Sequence, residues 1–340
     1  MPSSNVNSPW PLVRWPTLFP GQMGVPGTDS DRGLRQDCNG KILWVDPNHV
    51  DPSDLRDGTN PDSPLATVAE ALTQCRPYSG DVIAVMFNGC WTYSNQSVGR
   101  VTPIAESVIV TVPGVRIVGV APSGSLGVPW VPSANGATCI TVRAMDVLIE
   151  GFCFWDPGLG VTTAISAEWV IATGITGENL TVRNCYFYLM DYGIKLDYTY
   201  NCYIENNRFD QIVVQAIHNP SVYGEPDYSV IRNNDFIHCT GAINLPDCDY
   251  ELIEGNRFMN NDVAIAILAG GHNTIHSNTI EGAPAGANNM VNLTGGTLNL
   301  VSDNYFSCTI AQYDTACSDA TSGSWVNNHA TNGDITAPPT

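Results

Sequence analysis

Four aspartates offer the most direct chemistry in this 340-residue chain. Asp247 and Asp249 flank Cys248 at a turn, Asp227 stands one repeat earlier, and Asp235 lies between them in the sequence. Two carboxylates across an open groove can divide general acid and base work, and a separation of about 6.5–9.5 Å suits inversion at a sugar carbon. An eliminating site asks for something else, an unpaired base beside a cation that acidifies the proton to be removed. His218, His238, His272 and His276 are scattered over different faces of the repeat described below. No Gly-x-Ser-x-Gly elbow, phosphate loop or paired-histidine metal spacing occurs. The sequence therefore assigns no catalytic residue, metal or cofactor. It keeps Asp227, Asp235, Asp247 and Asp249 only as the acidic candidates of an alternative reading.

The remaining charges follow a pattern. A short phrase returns as Ile149-Glu-Gly-Phe-Cys-Phe154, Val182-Arg-Asn-Cys-Tyr-Phe187, Ile204-Glu-Asn-Asn-Arg-Phe209 and Ile231-Arg-Asn-Asn-Asp-Phe236. It continues as Ile253-Glu-Gly-Asn-Arg-Phe258, Ile275-His-Ser-Asn-Thr-Ile280 and Val301-Ser-Asp-Asn-Tyr-Phe306. A recurrence of about 22 residues marks a stacked solenoid, each turn burying its apolar face on its neighbours. Within the phrase, inward and outward residues alternate around a bend, which is strand periodicity and not helical spacing. A second apolar run follows each phrase, as in Ile194-Lys-Leu196 and Ala242-Ile-Asn-Leu245. The outward position reads Glu150, Arg183, Glu205, Arg232, Glu254, so signs alternate from coil to coil, with Glu205–Arg208, Arg232–Asp235 and Glu254–Arg257 as opposite pairs within coils. This checkerboard reads as structural and uses up the most obvious catalytic charges.

The column Asn207, Asn234, Asn256, Asn278 and Asn304 reads as a corner residue that tolerates left-handed backbone and hydrogen-bonds to its equivalent one coil away. Phe187, Phe209, Phe236 and Phe258, with Phe154 and Phe306, form the expected internal aromatic column. Together these features resemble the right-handed, single-stranded parallel β-helix of pectate-lyase-like proteins and viral tailspikes, over roughly residues 80–306. The resemblance implies an all-β solenoid. It does not supply a site: of a polygalacturonase-like motif set only the fragment Gly271-His272 is present, and no calcium-binding aspartate cluster with a neighbouring catalytic arginine assembles.

Four segments follow: an extended Pro-rich arm over 1–40, an N-terminal cap with a helix over 41–100, the β-helix over 101–306, and a C-terminal cap and tail over 307–340. Ser63 and Pro64 read as the N-cap and first turn of the capping helix, with Leu65, Val68, Ala69 and Leu72 on one face. Asp46 and Asp57 read as turn formers beside Pro and Gly. Long loops at 119–132, 155–160, 223–226 and 281–289 are places for partner contacts or a sugar groove.

Net charge is −19 with only 14% charged residues, which argues against nucleic acid or an anionic membrane as partner. No apolar run approaches the ~18 residues of a membrane span. The N-terminus lacks the basic and apolar regions of a secretory signal, and Met1 favours synthesis in the cytoplasm and delivery by assembly or lysis. Eleven cysteines show no CxxC pair and read mostly as free, buried thiols, with Cys239–Cys248 and Cys308–Cys317 open as pairs. Similarity to phage β-helix proteins implies a structural protein of a bacteriophage particle, a trimeric capsid decoration or surface protein. Its arm (Trp10, Trp15, Phe19) would dock on capsid or other virion proteins or on a sister subunit. The alternatives are an extracellular or tailspike-like polysaccharide lyase or hydrolase, and an adhesin that binds a surface glycan.

Overall fold

The computed structural model describes residues 40–340 apart from 88–89, 93–94, 99–101, 123–124, 157, 159, 170–173, 175–176, 221–225, 282–289, 294–296, 320–322, 336 and 340. The arm, with Trp10, Trp15 and Phe19, lies outside the described residues, as do most of the 223–226 and 281–289 loops. The chain winds as an all-β parallel solenoid with three long sheets of eleven, eleven and nine strands. One strand of each coil belongs to each sheet. The coil of Val182, for example, places Thr181–Arg183 in the first sheet, Tyr186–Tyr188 in the second and Tyr192–Leu196 in the third.

Alternation along these short strands fills the interior. Ile149, Val182, Ile204, Ile231, Ile253, Ile275 and Val301 stack in register from the first sheet, and Ile165, Ile194, Ile217, Ile243 and Ile265 from the third. From the second sheet, Phe187, Phe209, Phe236 and Phe258 stack face to face, with ring centroids 4.5–4.9 Å apart. That spacing matches the ~4.8 Å separation of neighbouring strands, so aromatic stacking and backbone pairing share one period.

The Asn column closes the corner between first and second sheets. Asn234 donates its backbone N–H and Nδ2 to Asn256 Oδ1 (2.9 and 3.0 Å) and its Nδ2 also to the Ile204 carbonyl at 2.8 Å, while its own Oδ1 accepts from Asn207 at 2.9 Å. The same pattern extends to Asn328. The left-handed residue is not the ladder asparagine but the one before it: Asn206, Asn233, Gly255, Ser277, Asp303 and Asn327 carry the positive φ. The division is physical, because the inward amide must reach its neighbours from extended backbone while the preceding residue makes the bend.

Three further expectations are corrected. The helix α1 spans Val68–Gln74 and is capped by Thr67, not Ser63. Leu65 is already taken as an edge bridge, donating to the Trp44 carbonyl and accepting from the Asp46 N–H. Asp54 and Glu106 hold the helix start through the N–H groups of Ala66, Thr67, Val68 and Ala69, and Ala69 faces outward. Parallel coiling also outruns residue 306: Cys317–Asp319, Ser324–Val326 and Asn328–Ala330 add one more strand to each sheet. The short helix α2 (Ile310–Ala316) leads into these strands, and the antiparallel strand Gly333–Ile335 follows them and covers the second sheet's last edge. At the other end, Ile42–Val45 and Val82–Met86 of the expected cap are the first two strands of the first sheet.

Candidate functional site on the third sheet

The outward row of the third sheet runs Thr141, Ser166, Lys195, His218, Asn244, Ala266, Asn292, Ser318, one residue per coil. Each is adjacent in its strand to a buried apolar residue, aliphatic in every case but Cys317 beside Ser318, so alternation fixes its direction. Lys195 and His218 are register partners on neighbouring strands. Lys195 Nζ lies 3.8 Å from the centre of the Tyr192 ring, and the His218 ring is stacked 5.7 Å from the same ring. One tyrosine thus organises a cation and an imidazole side by side.

The electrostatics of the pair come from burial with few compensating partners. Among the described residues no carboxylate forms an ion pair with Lys195. Glu168 is engaged by Arg143 Nε and Nη2 at 3.0 and 2.9 Å, and Asp191 accepts the Thr162 N–H at 2.8 Å. Burial lowers the Lys195 pKa from its ordinary value, with Glu168 and Asp191 opposing at longer range. Burial also lowers His218, aided by the charge of Lys195 and opposed by the backbone of Asn244, so the imidazole is neutral near pH 7. Three buried atoms at the pair, His218 Nδ1, Asn244 Oδ1 and Gln215 Oε1, have no hydrogen-bond partner among the described residues. A buried polar group left without a partner costs about 1–3 kcal/mol. Such groups gathered on one face are what a polar ligand would satisfy.

Of the four aspartates, the structure brings three together. Asp227 and Asp249 are parallel-bridge partners at the corner between third and first sheets. The Asp249 N–H donates to Asp227 Oδ1 at 3.0 Å, and Asp249 in turn accepts from the Gly271 N–H. Burial raises the Asp227 pKa, and the nearby Asp249 and Asp247 add to it. The carboxylates of Asp227 and Asp249 satisfy backbone at the corner. Beside them Tyr228, Tyr250 and His272 form an outward stack, 4.9 and 4.7 Å between centroids, all with left-handed backbone. Asp235 lies elsewhere, on the second sheet, where Arg257 Nε donates to it at 3.0 Å.

The charge ladder of the first sheet is bound up in itself. Arg183 pairs with Glu150 at 3.0 Å, and Arg232 with Glu205 at 2.7 Å and Glu254 at 4.0 Å. Among the described residues these pairs run between coils, because the two charges of one coil sit on different sheets. Arg208 turns to Asp210 at 3.0 Å. Lys195 and His218 were missed in the sequence because unequal coil lengths hide their register. The alternation Ile194-Lys-Leu196 already pointed Lys195 outward.

A family model described as periplasmic copper-binding protein (NosD) matches residues 162–335, just over half of the chain. No curated relative matches. Among solved structures, a mutant DFA-IIIase from Arthrobacter chlorophenolicus A6 in complex with DFA-III is 14% identical, with a TM-score of 0.57 over 84% of this chain and 76% of that one. A further structure of that enzyme gives 12% identity and a TM-score of 0.52 over 84% and 79%. ORF18 of Geobacillus virus E2 is 14% identical, with a TM-score of 0.37 over 85% and 60%. For the two DFA-IIIase structures the likeness is one of fold, the parallel β-helix.

Copper favours thiolate, thioether and imidazole ligands. Among the described residues no three His, Cys, Asp or Glu are grouped to hold a metal ion. The nine described cysteines are free and buried, and burial pushes the thiols of Cys185 and Cys239 up to about 12. His218, His238, His272, His276 and His329 occupy separate sheets and corners. The described residues do not fit a copper centre. No helix among them is long and apolar enough to cross a membrane.

Proposed function

The chain belongs to the NosD family, and from that premise we propose that it is a carbohydrate-active β-helix whose glycan lies along the outer face of the third sheet. One observation carries the reading: Lys195 and His218 stand partly desolvated on a shared tyrosine, amid buried polar atoms that have no partner among the described residues. A row of polar side chains at strand spacing suits an extended polymer, since ~4.8 Å per coil is close to the length of one sugar unit. The similarity in fold to a DFA-IIIase supports this direction only as analogy. Asp227, Asp247 and Asp249 serve the reading as corner residues at the edge of that sheet, and Asp235 has no part in it. The test is a panel of soluble glycans, screened for binding and cleavage with wild-type protein and with Lys195→Ala and Arg232→Ala. Loss in the Lys195 variant alone supports the third sheet; equal loss in both, or no glycan bound at all, sinks it.

The same reading includes a place of work. A virion or other exterior surface, held through the arm residues Trp10, Trp15 and Phe19 and a trimeric assembly, would present the solenoid as a rigid post. The support is the apolar, Pro-rich composition of residues 1–40. Sedimenting a lysate of the producing culture tests it: protein that stays with particles through washing supports anchoring. Protein free in the medium supports an extracellular enzyme.

A further inference from the structure

We propose that the chain's own N-terminal arm, through its apolar stretch from Trp10 to Phe19, is seated on the outer face of the first sheet where that sheet begins. This seat goes beyond the glycan reading of the third sheet and is independent of it. It bears on anchoring, because an arm laid on its own solenoid offers a partner only the side chains that face away from the sheet.

A strand with one face in water alternates, as Thr181-Val-Arg183, Tyr203-Ile-Glu205 and Thr274-Ile-His276 do. The first three strands of the same sheet do not. Ile42-Leu-Trp-Val45, Val82-Ile-Ala-Val-Met86 and Ile117-Val-Gly-Val120 are continuous apolar runs, the pattern of strands covered on both faces. Leu43, Val45, Ile83, Val85 and Ile117 belong to the interior, so Trp44, Ala84, Met86, Val118 and Val120 point out of the solenoid. Each of these five is nonetheless 5% exposed or less. They form a second apolar cluster apart from the interior one, and among the described residues its members all come from these three strands. A buried layer drawn from one side only needs a second layer.

The arm joins the solenoid beside this face. The Lys41 N–H donates to Asp81 Oδ1 at 2.8 Å, the Lys41 carbonyl accepts the Val82 N–H at 2.9 Å, and a Cβ on Gly40 would lie 2.2 Å from the Gly80 carbonyl oxygen. The chain is thus held against the second coil where it passes from the arm into the first strand. Positions 20–39 reach up to about 65 Å when extended, whereas the three strands span only about 10 Å. Trp10, Leu12, Val13, Trp15, Leu18 and Phe19 supply the large apolar side chains that a covering layer needs. Tethering favours this arm over that of another molecule, since it makes docking intramolecular. The hairpin of Cys90–Thr92 and Asn95–Val98 is nearer along the chain, but it forms a two-stranded sheet of its own and is mostly small or polar in sequence.

Met86 is a native reporter, because it points outward and is buried on this face, and Met190 in the interior is its control. The full chain is treated with dilute peroxide, and sulfoxide at each methionine is read by peptide mass spectrometry. In the wild type Met86 should oxidise as slowly as Met190. Replacing the arm's aromatics together (Trp10→Ser, Trp15→Ser and Phe19→Ser) should speed Met86 about ten-fold or more and leave Met190 unchanged. Met86 as slow in the variant as in the wild type overturns the proposal. So does an equal rise at both methionines, which would make the arm a support of the whole solenoid and not the cover of one face. A photo-crosslinking benzoylphenylalanine in place of Trp15 reads the contact without removing an aromatic side chain. Capture of peptides holding Val82–Met86 or Arg116–Val120 of the same chain is the expected result. Capture of the hairpin, of another face, or of a second molecule, seen as a product of doubled mass on a denaturing gel, overturns it. Neither readout involves a glycan, so failure of the arm's seat and failure of the third-sheet site are told apart.

Discussion

The outer faces of the first and third sheets are built from the same repeat, yet their charges are treated in opposite ways. On the first sheet Glu150, Arg183, Glu205, Arg232 and Glu254 close on one another, and the side chains of Arg183 and Glu205 are only 10% and 8% exposed. On the third sheet Lys195 and His218 share a tyrosine, and polar atoms at the pair have no partner among the described residues. A paired, partly buried ladder fixes register and stiffens a solenoid. An unpaired group in the same fold lowers stability, and such costs concentrate where ligands bind. Position on the coil therefore decides whether a charged side chain serves the scaffold or is left available.

Four measurements bear on that contrast. The largest effect belongs to the interior that both faces depend on. Asn234→Leu would strand the Asn207 N–H and the Ile204 carbonyl and lower stability by about 2–4 kcal/mol. Urea unfolding of that variant at wild-type stability would show that the ladder is not what holds the coils in register. Next comes the direct comparison. Arg232→Ala uncovers Glu205 and should lower stability by about 1–3 kcal/mol, whereas Lys195→Met should change it by less than about 0.5 kcal/mol or raise it slightly. Equal losses in the two unfolding midpoints would erase the distinction between the faces.

A subtler probe lies in the interior column at the third corner. Glu251 occupies a slot between Ser229 and Asn273; its carboxylate accepts the Ser229 N–H at 3.2 Å, and its N–H donates to Asn273 at 2.8 Å. Burial pushes its pKa well above 4.5, and its second oxygen has no partner among the described residues. The folded form therefore keeps a proton that the unfolded form releases above 4.5. This stability is fully present below that pH and is lost as pH rises towards the folded pKa. Glu251→Gln should flatten the fall in urea midpoint from mildly acidic to neutral pH; an unchanged slope would mean the carboxyl is ionised in place. The smallest effect concerns reactivity. With Cys185 and Cys239 at about 12 and Cys202 at about 11, these thiols should resist alkylation until the chain is unfolded. Rapid labelling of Cys185 in the native protein, seen by peptide mass spectrometry, would show the core to be open.

Much of the scaffold was legible because its signals are local. The phrase repeats at strand periodicity, so the inward aliphatic, asparagine and phenylalanine columns could be read one coil at a time. Boundaries were less legible. Thr67 rather than Ser63 caps α1 because Leu65 is drawn into an edge bridge with Val45, and coiling persists past Phe306 through Trp325-Val-Asn-Asn-His-Ala330, which keeps the asparagines of the phrase but puts Trp325 and Ala330 where its aliphatic and phenylalanine stand. The acidic candidates were chosen by residue type. Only register separates Asp227, Asp247 and Asp249, at one corner, from Asp235, which Arg257 claims on another sheet.

By itself the sequence determined that this chain coils as an all-β solenoid, since a period near 22 with alternating apolar positions has no other compact way to bury its apolar faces. Tertiary structure decided which outward residues meet. Lys195 and His218 are 23 positions apart and Asp227 and Asp249 are 22. Variable loops between coils shift the count, so adjacency is set by backbone pairing between turns. Desolvation, which lowers the pKa values of Lys195 and His218 and leaves atoms around them without partners, arises only when neighbouring coils close over the same face.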